Sequence, residues 1–182
     1  MTTKHALVIG GTGMLADVSL WLANTGYIVS VIGRTMEKHQ HLLEQATNPN
    51  FINCLVVDYS NYAFLEEQVR DAIIKNGPVS LVVSWTPLLK SLEIVNSLAS
   101  KQKNPWALYQ VMGSRRYFEK KSLVVPDNCK HRTIYLGFII EGDQSRWLSN
   151  NEISQGVIRS IEEDSSESII GTLYPYERRP SY

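Results

Sequence analysis

The stretch His5-Ala-Leu-Val-Ile-Gly10-Gly11-Thr12-Gly13-Met14-Leu15 runs from a short apolar segment straight into a glycine-rich turn. Beyond the turn, Leu15, Val18 and Leu22 recur at helical spacing. Strand, glycine turn and helix in that order make a cradle for a dinucleotide pyrophosphate. Backbone N–H groups at a helix start attract phosphate, and only glycine lets phosphate come close to the main chain. On this reading Gly10 makes the sharp exit from the strand and Gly13 permits the close approach. Ala16 takes the third small position, where helix packs on strand, so the pattern is Gly-x-x-Gly-x-x-Ala. Thr12, Met14 and Leu15 belong to the same candidate binding turn.

With 182 residues, 43% of them hydrophobic and 20% charged, the chain can bury one core without disulfides or metals. We therefore expect a single domain over residues 1–182, with 174–182 as a surface tail. The formal net charge is zero, so no global field draws the protein to nucleic acid or to an anionic membrane, and neither partner is expected. The N-terminus lacks the layout of a signal peptide and no apolar run is long enough to span a bilayer, which makes the cytoplasm the expected compartment. Cys54 and Cys129 have no metal-ligand spacing around them and are expected to remain thiols, with no metal site. A homo-oligomer is left open.

Strand-like and helix-like patterns alternate along the chain. The apolar runs 6–10, 27–32, 51–57, 79–83, 106–112 and 133–140 predict strands, with a last short one over 169–173. Helices are predicted over 13–24, 35–46, 61–75, 87–100 and 149–162. Apolar strands each followed by a helix require a parallel sheet covered on both faces, which gives a doubly wound, Rossmann-like α/β domain. Ligands of such sheets sit beyond the carboxyl ends of the strands. That rule directs attention to the glycine turn, to Gly33-Arg34-Thr35, to Asp58-Tyr59 and to Ser84-Trp85.

The end of the second strand decides which dinucleotide is favoured. A carboxylate there would bind ribose hydroxyls and repel a 2′-phosphate, whereas a basic group does the reverse. Here Arg34 follows Gly33, and no acidic residue comes before Glu37, so NADP(H) is expected over NAD(H). Trp85, at the end of the fourth strand, is placed either to cover the cofactor or to fill the core.

The Gly-Gly-Thr-Gly turn, Gly33-Arg34-Thr35 and Val57-Asp58-Tyr59-Ser60 together resemble the short-chain dehydrogenase/reductase superfamily, in particular its atypical branch. The resemblance is carried by residues 5–85 and continues weakly to Arg146–Ile153. It implies that Asp58 contacts the adenine amino group; as a plain N-cap, Asp58 would instead start the helix near Asn61. It also implies an oxidoreductase acting on a small carbonyl or alcohol, its substrate unidentified. The family's catalytic Tyr-x-x-x-Lys is matched by Tyr117 and Lys121, with Ser114 as the candidate for its serine. An ammonium one helical turn from a phenol would lower the phenol's pKa and let it donate a proton. Three departures stand against this: Ser84-Trp85-Thr86 replaces the family's Asn-Ala-Gly, Ser114 lies only just before Tyr117, and the stretch between Met112 and Thr133 is too short for a long catalytic helix. The alternative is a non-catalytic dinucleotide-binding sensor or regulatory partner.

Other groupings are expected to be inert. His39 and His41 point in different directions from a polar helix and are read as solvent-exposed, and Cys129 with His131 lacks companions for zinc. Arg115, Arg116, Lys120 and Lys121 read as a solvated face, and Ser114 as a cap for a short helix over 115–121.

Overall fold

The computed structural model describes residues 3–181. Its strands are β1 (Lys4–Ile9), β2 (Tyr27–Gly33), β3 (Ile52–Val56), β4 (Val79–Ser84), β5 (Trp106–Gly113), β6 (Cys129–Leu136), β7 (Phe138–Glu141), β8 (Gln144–Trp147) and β9 (Glu167–Ile170). The helices are α1 (Ala16–Asn24), α2 (Met36–Gln45), α3 (Tyr62–Asn76), α4 (Leu89–Ser100), α5 (Ser114–Glu119) and α6 (Asn150–Glu163). Seven strands form one parallel sheet in the order β3-β2-β1-β4-β5-β6-β9, and the strand order reverses between β1 and β4. This is the doubly wound arrangement, with its switch point at the first glycine turn.

Two cores explain the unbroken apolar strands. On one face Ala6, Val8, Val29 and Val31 pack under Val18 and Leu22 of α1, Leu42 of α2 and Val157 of α6. On the other, Leu7, Ile9, Ile32 and Val82 pack under Leu65 and Val69 of α3 and Leu92 and Val95 of α4. Neighbouring residues of one strand thus enter different cores, so the pattern in sequence is continuous rather than alternating.

One buried polar group, on β1, is fully tied down. His5 is fully buried; its Nδ1–H donates to the Gly77 carbonyl at 2.9 Å and its Nε2 accepts from the Ser30 hydroxyl at 2.6 Å. Ser30 in turn accepts from the Asn53 amide. The chain of bonds specifies a neutral ring, and burial lowers the His5 pKa below its ordinary 6.5.

Several local expectations are corrected. The single strand expected over 133–140 is two: β6 ends at Leu136, and Gly137 presses so closely on Thr172 that a side chain would have no room. The chain then turns into the antiparallel β7–β8 hairpin, which the apolar run Ile134–Ile140 conceals in sequence. The last strand lies over Glu167–Ile170, ahead of the expected 169–173, and Leu173 is a buried anchor. The turn occupies 10–15, so α1 starts at Ala16 rather than Gly13. The tight helix-to-strand contact belongs to Gly11, not Ala16: a Cβ at Gly11 would lie 2.6 Å from Ser19 Oγ and 2.8 Å from Val31. Residues 174–181 are exposed or half-buried, and they are pinned: the Ser145 hydroxyl donates to the Arg178 carbonyl, and Arg178 donates to the Gly142 carbonyl at 2.8 Å.

Candidate cofactor cleft and adjoining pocket

The carboxyl ends of β1, β2 and β4 enclose a cleft of about 240 Å³. Of the residues singled out in the sequence, Gly10, Thr12, Gly13, Met14, Gly33, Arg34, Thr35, Tyr59 and Trp85 line it. Leu15 does not: it is fully buried and packs in the core, where an apolar side chain gains most. Ser84 is buried beneath the cleft, and its hydroxyl has no hydrogen-bond partner among the described residues. Asp58 stands exposed outside the lining. Its carboxylate accepts from the Ser60 N–H and hydroxyl, and these bonds hold it below its ordinary pKa, with Arg34 adding to the effect. The N-cap of α3 is Asn61, whose side chain accepts from the Phe64 N–H, so Asp58 does not cap that helix.

The glycines divide by cause. Gly10 has φ +81°, and a Cβ there would lie 2.9 Å from the Trp85 carbonyl oxygen. Gly33 faces the Thr12 hydroxyl, 2.6 Å from where a Cβ would stand, and His39 Nε2 at 3.1 Å. The fold itself demands both. Gly13 is different: the nearest atom to a Cβ would be the Gly10 carbonyl oxygen at 3.9 Å, an ordinary contact, on a wall of the cleft. Internal packing gives no reason for glycine at this position, whereas a phosphate resting on the backbone does. The turn is braced from behind by α6, where the Ser154 hydroxyl donates to the Met14 carbonyl at 2.9 Å.

Opposite the turn stand two cations. The Arg34 guanidinium lies 5.7 Å from the centre of the Tyr59 ring, and Lys38 completes the wall. Sequence reasoning missed Lys38, although its place in the first turn of α2, just after Arg34, was the available signal. A lysine in the first turn of a helix opposes the helix dipole, a misfit that an anionic ligand would relieve. His39 is also a correction: it is buried, not exposed, and its Nε2–H donates to the Gly33 carbonyl at 3.2 Å, while His41 stays at the surface. Burial lowers the His39 pKa.

Trp85 is shared with a second pocket of about 290 Å³ between the ends of β4 and β5, lined by Pro87, Leu92, Gln110, Met112 and Arg116 among others. Ser114 begins α5 just beyond it. Gly113, not Ser114, is the cap residue, and the buried Ser114 hydroxyl lies 3.3 Å from that of Tyr176 in the tail. The Arg179 guanidinium sits 4.5 Å from the Tyr176 ring centre. Tyr117 and Lys121 are elsewhere, on a furrow over β5, β6 and β9. Tyr117 packs edge-on against Tyr135 at 5.2 Å. The helix on which their pairing depends ends at Glu119, because Lys120 adopts a left-handed conformation (φ 50°). Nor is the Tyr117 phenol lowered: the neighbouring Tyr174, foremost, raises it. Lys120 and Lys121 face this furrow and Arg116 the pocket, so the basic cluster is divided between two concavities.

Among the described residues no cluster of His, Cys, Asp and Glu could hold a metal ion, and no helix is long and apolar enough to cross a membrane. No protein-family model matches the chain, and no curated protein matches its sequence. Solved structures do. A short-chain dehydrogenase/reductase from Serratia marcescens superposes with TM-score 0.71 at 13% identity, over 91% of this chain and 95% of that one. The F189W actinorhodin polyketide ketoreductase, in a structure with NADPH, superposes with TM-score 0.72 at 11% identity, over 94% and 97%. A β-ketoacyl-[ACP] reductase from Bacteroides thetaiotaomicron gives 0.66 at 14%, over 93% and 97%. At such identities the likeness speaks to architecture alone, and the architecture is the Rossmann fold of the short-chain dehydrogenases/reductases.

Proposed function

We propose that the protein binds NADP(H) in the cleft beside Gly13 and Arg34 and interconverts a small carbonyl compound and its alcohol. The observation that carries the reading is Gly13, a glycine that the fold does not need, on a cleft wall facing two cations. In this reading the turn 10–14 receives the pyrophosphate and Arg34, Thr35 and Lys38 receive the 2′-phosphate. Asp58 stands within reach of the adenine side, and Trp85 divides the nucleotide end from the reacting end. NAD(H) fits less well, because among the described residues no carboxylate lines the cleft to accept from ribose hydroxyls.

NADPH, when bound, supplies a hydride. The protein's part is to hold the carbonyl and deliver a proton to the developing alkoxide. Ser114 is the residue we assign to orienting the carbonyl, with Tyr176 as the proton donor through the hydroxyl pair that the two form. Tyr117 and Lys121 are assigned no step, since α5 ends before Lys121 and the Tyr117 phenol is raised rather than lowered. The test is oxidation of NADPH in the presence of small aldehydes and ketones: turnover supports the assignment, and tight NADPH binding without turnover across the series supports a non-catalytic sensor. The six-residue α5, which leaves no helical Tyr–Lys pair, is the observation that favours that second reading.

A further inference from the structure

We infer that the pocket beside Trp85 is a binding site for a small oxo acid, whose carboxylate is held by Arg116. The inference rests on the dinucleotide reading only for the pocket's place next to the reacting end. At about 290 Å³ the pocket is at the small end of ligand sites, which run from about 300 to 1,000 Å³. Its walls are Pro87, Leu89, Leu92 and Met112, and among the described residues its only charged lining residue is Arg116.

The polar side chains on the lining are all presented as donors. Gln110 accepts from His131 Nε2–H through its amide oxygen at 2.9 Å, which leaves its NH₂ group to donate. The Thr86 oxygen accepts from the Leu88 N–H at 3.1 Å, and its proton is left to give. Arg116 cannot accept at all. A lining without a carboxylate suits a ligand rich in acceptors, such as a carbonyl joined to a carboxylate, and suits a cation poorly.

Arg116 has charge to spare. Its nearest acid, Glu119, is shared: one oxygen lies 3.5 Å from Arg116 and the other 3.4 Å from Arg115. Both distances exceed the roughly 2.7–2.9 Å of a strong charge-assisted hydrogen bond. Two guanidiniums therefore divide one carboxylate, and a ligand carboxylate can engage Arg116 in the fork geometry that Glu119 does not use.

The test is calorimetric titration of 2-oxobutanoate, 3-oxobutanoate and 4-oxopentanoate, each against its methyl ester, with and without saturating NADP⁺. At least one acid is expected to bind about 10- to 150-fold more tightly than its ester, the range for a hydrogen-bonded charge. Arg116→Gln should remove the preference and Arg116→Lys should keep part of it. Equal binding of every acid and ester to the wild-type protein, or no binding, would overturn the inference whether or not the variants fold. A preference that survives in folded Arg116→Gln would overturn it too. NADP⁺ affinity, read in the same titrations, separates the two claims: an acid preference without NADP⁺ binding supports the pocket and refutes the dinucleotide cleft, and the reverse result does the opposite.

Discussion

Beyond β1, β2 and β4 the chain leaves a cleft, walled by the glycine turn after β1, by Gly33, Arg34 and Thr35 at the end of β2 and by Trp85 after β4. Beyond β5, β6 and β9 the chain lays down the six-residue α5, the β7–β8 hairpin and the pinned tail. The first half takes its candidate ligand groups from short stretches that directly follow strands, at residues 10–14 and 33–35 and at Trp85. The second assembles its own from segments far apart, as when Ser114 meets Tyr176 across 62 residues. In one fold, then, the proposed nucleotide site rests on turns that directly follow strands, while the proposed reacting groups come from whatever segment the chain lays over the strand ends.

The largest effect should separate the two uses of glycine in the first half. Gly13→Asp puts a carboxylate where phosphate is to rest and should abolish NADPH binding while the protein stays folded, because a Cβ there meets only an ordinary contact. Calorimetry alongside a melting curve checks both parts.

Next in size is a contrast within the second half. If Tyr176 donates the proton, Tyr176→Phe should lower carbonyl turnover by about 10²–10⁴-fold, the range for general acid catalysis, with NADPH affinity retained. Tyr117→Phe should leave turnover near the wild-type rate. The opposite ranking in steady-state assays would return the role to Tyr117.

A smaller change sharpens the cation wall. Arg34→Ala should weaken NADPH by about 10- to 150-fold and NADH little, with Lys38→Ala acting in the same direction. Equal weakening of both dinucleotides would make Arg34 a residue of the fold rather than of selectivity.

Gly11→Ala tests the fold's own glycine. Overpacking against Ser19, Val31 and Val8 should cost about 1–3 kcal/mol in denaturant unfolding.

The smallest effect is on pH dependence. Burial lowers the pKa values of His5, His39 and His131 below 6.5, so below that pH the unfolded chain binds protons that the folded one refuses. Stability is full above about pH 6.5 and falls as pH drops toward the folded-state values. His5→Asn should flatten that decline by at most one proton, about 1.4 kcal/mol per pH unit. An unchanged slope would show that His5 is protonated alike in both states.

The first half was legible because its signals are local: the unbroken apolar runs of β1, β2 and β4, the glycines at the ends of β1 and β2, and Arg34 directly after Gly33. Where a signal was read wrongly, a contact distant in sequence was responsible. His39 sits on a polar helix yet is drawn under Gly33, and Leu15 belongs to the turn but serves the core. In the second half spacing misled. Tyr117 and Lys121 are four apart, but the left-handed Lys120 breaks the helix that would align them, and Gly137 divides an apolar run that reads as one strand. Nothing local to Ser114 announces a tyrosine from the tail.

The central claim is tested most directly by titrating NADPH and NADH separately into the wild-type protein and reading the heat of binding. The account predicts one-to-one binding of NADPH, tighter than that of NADH. No heat with either dinucleotide, or tighter binding of NADH, would contradict it.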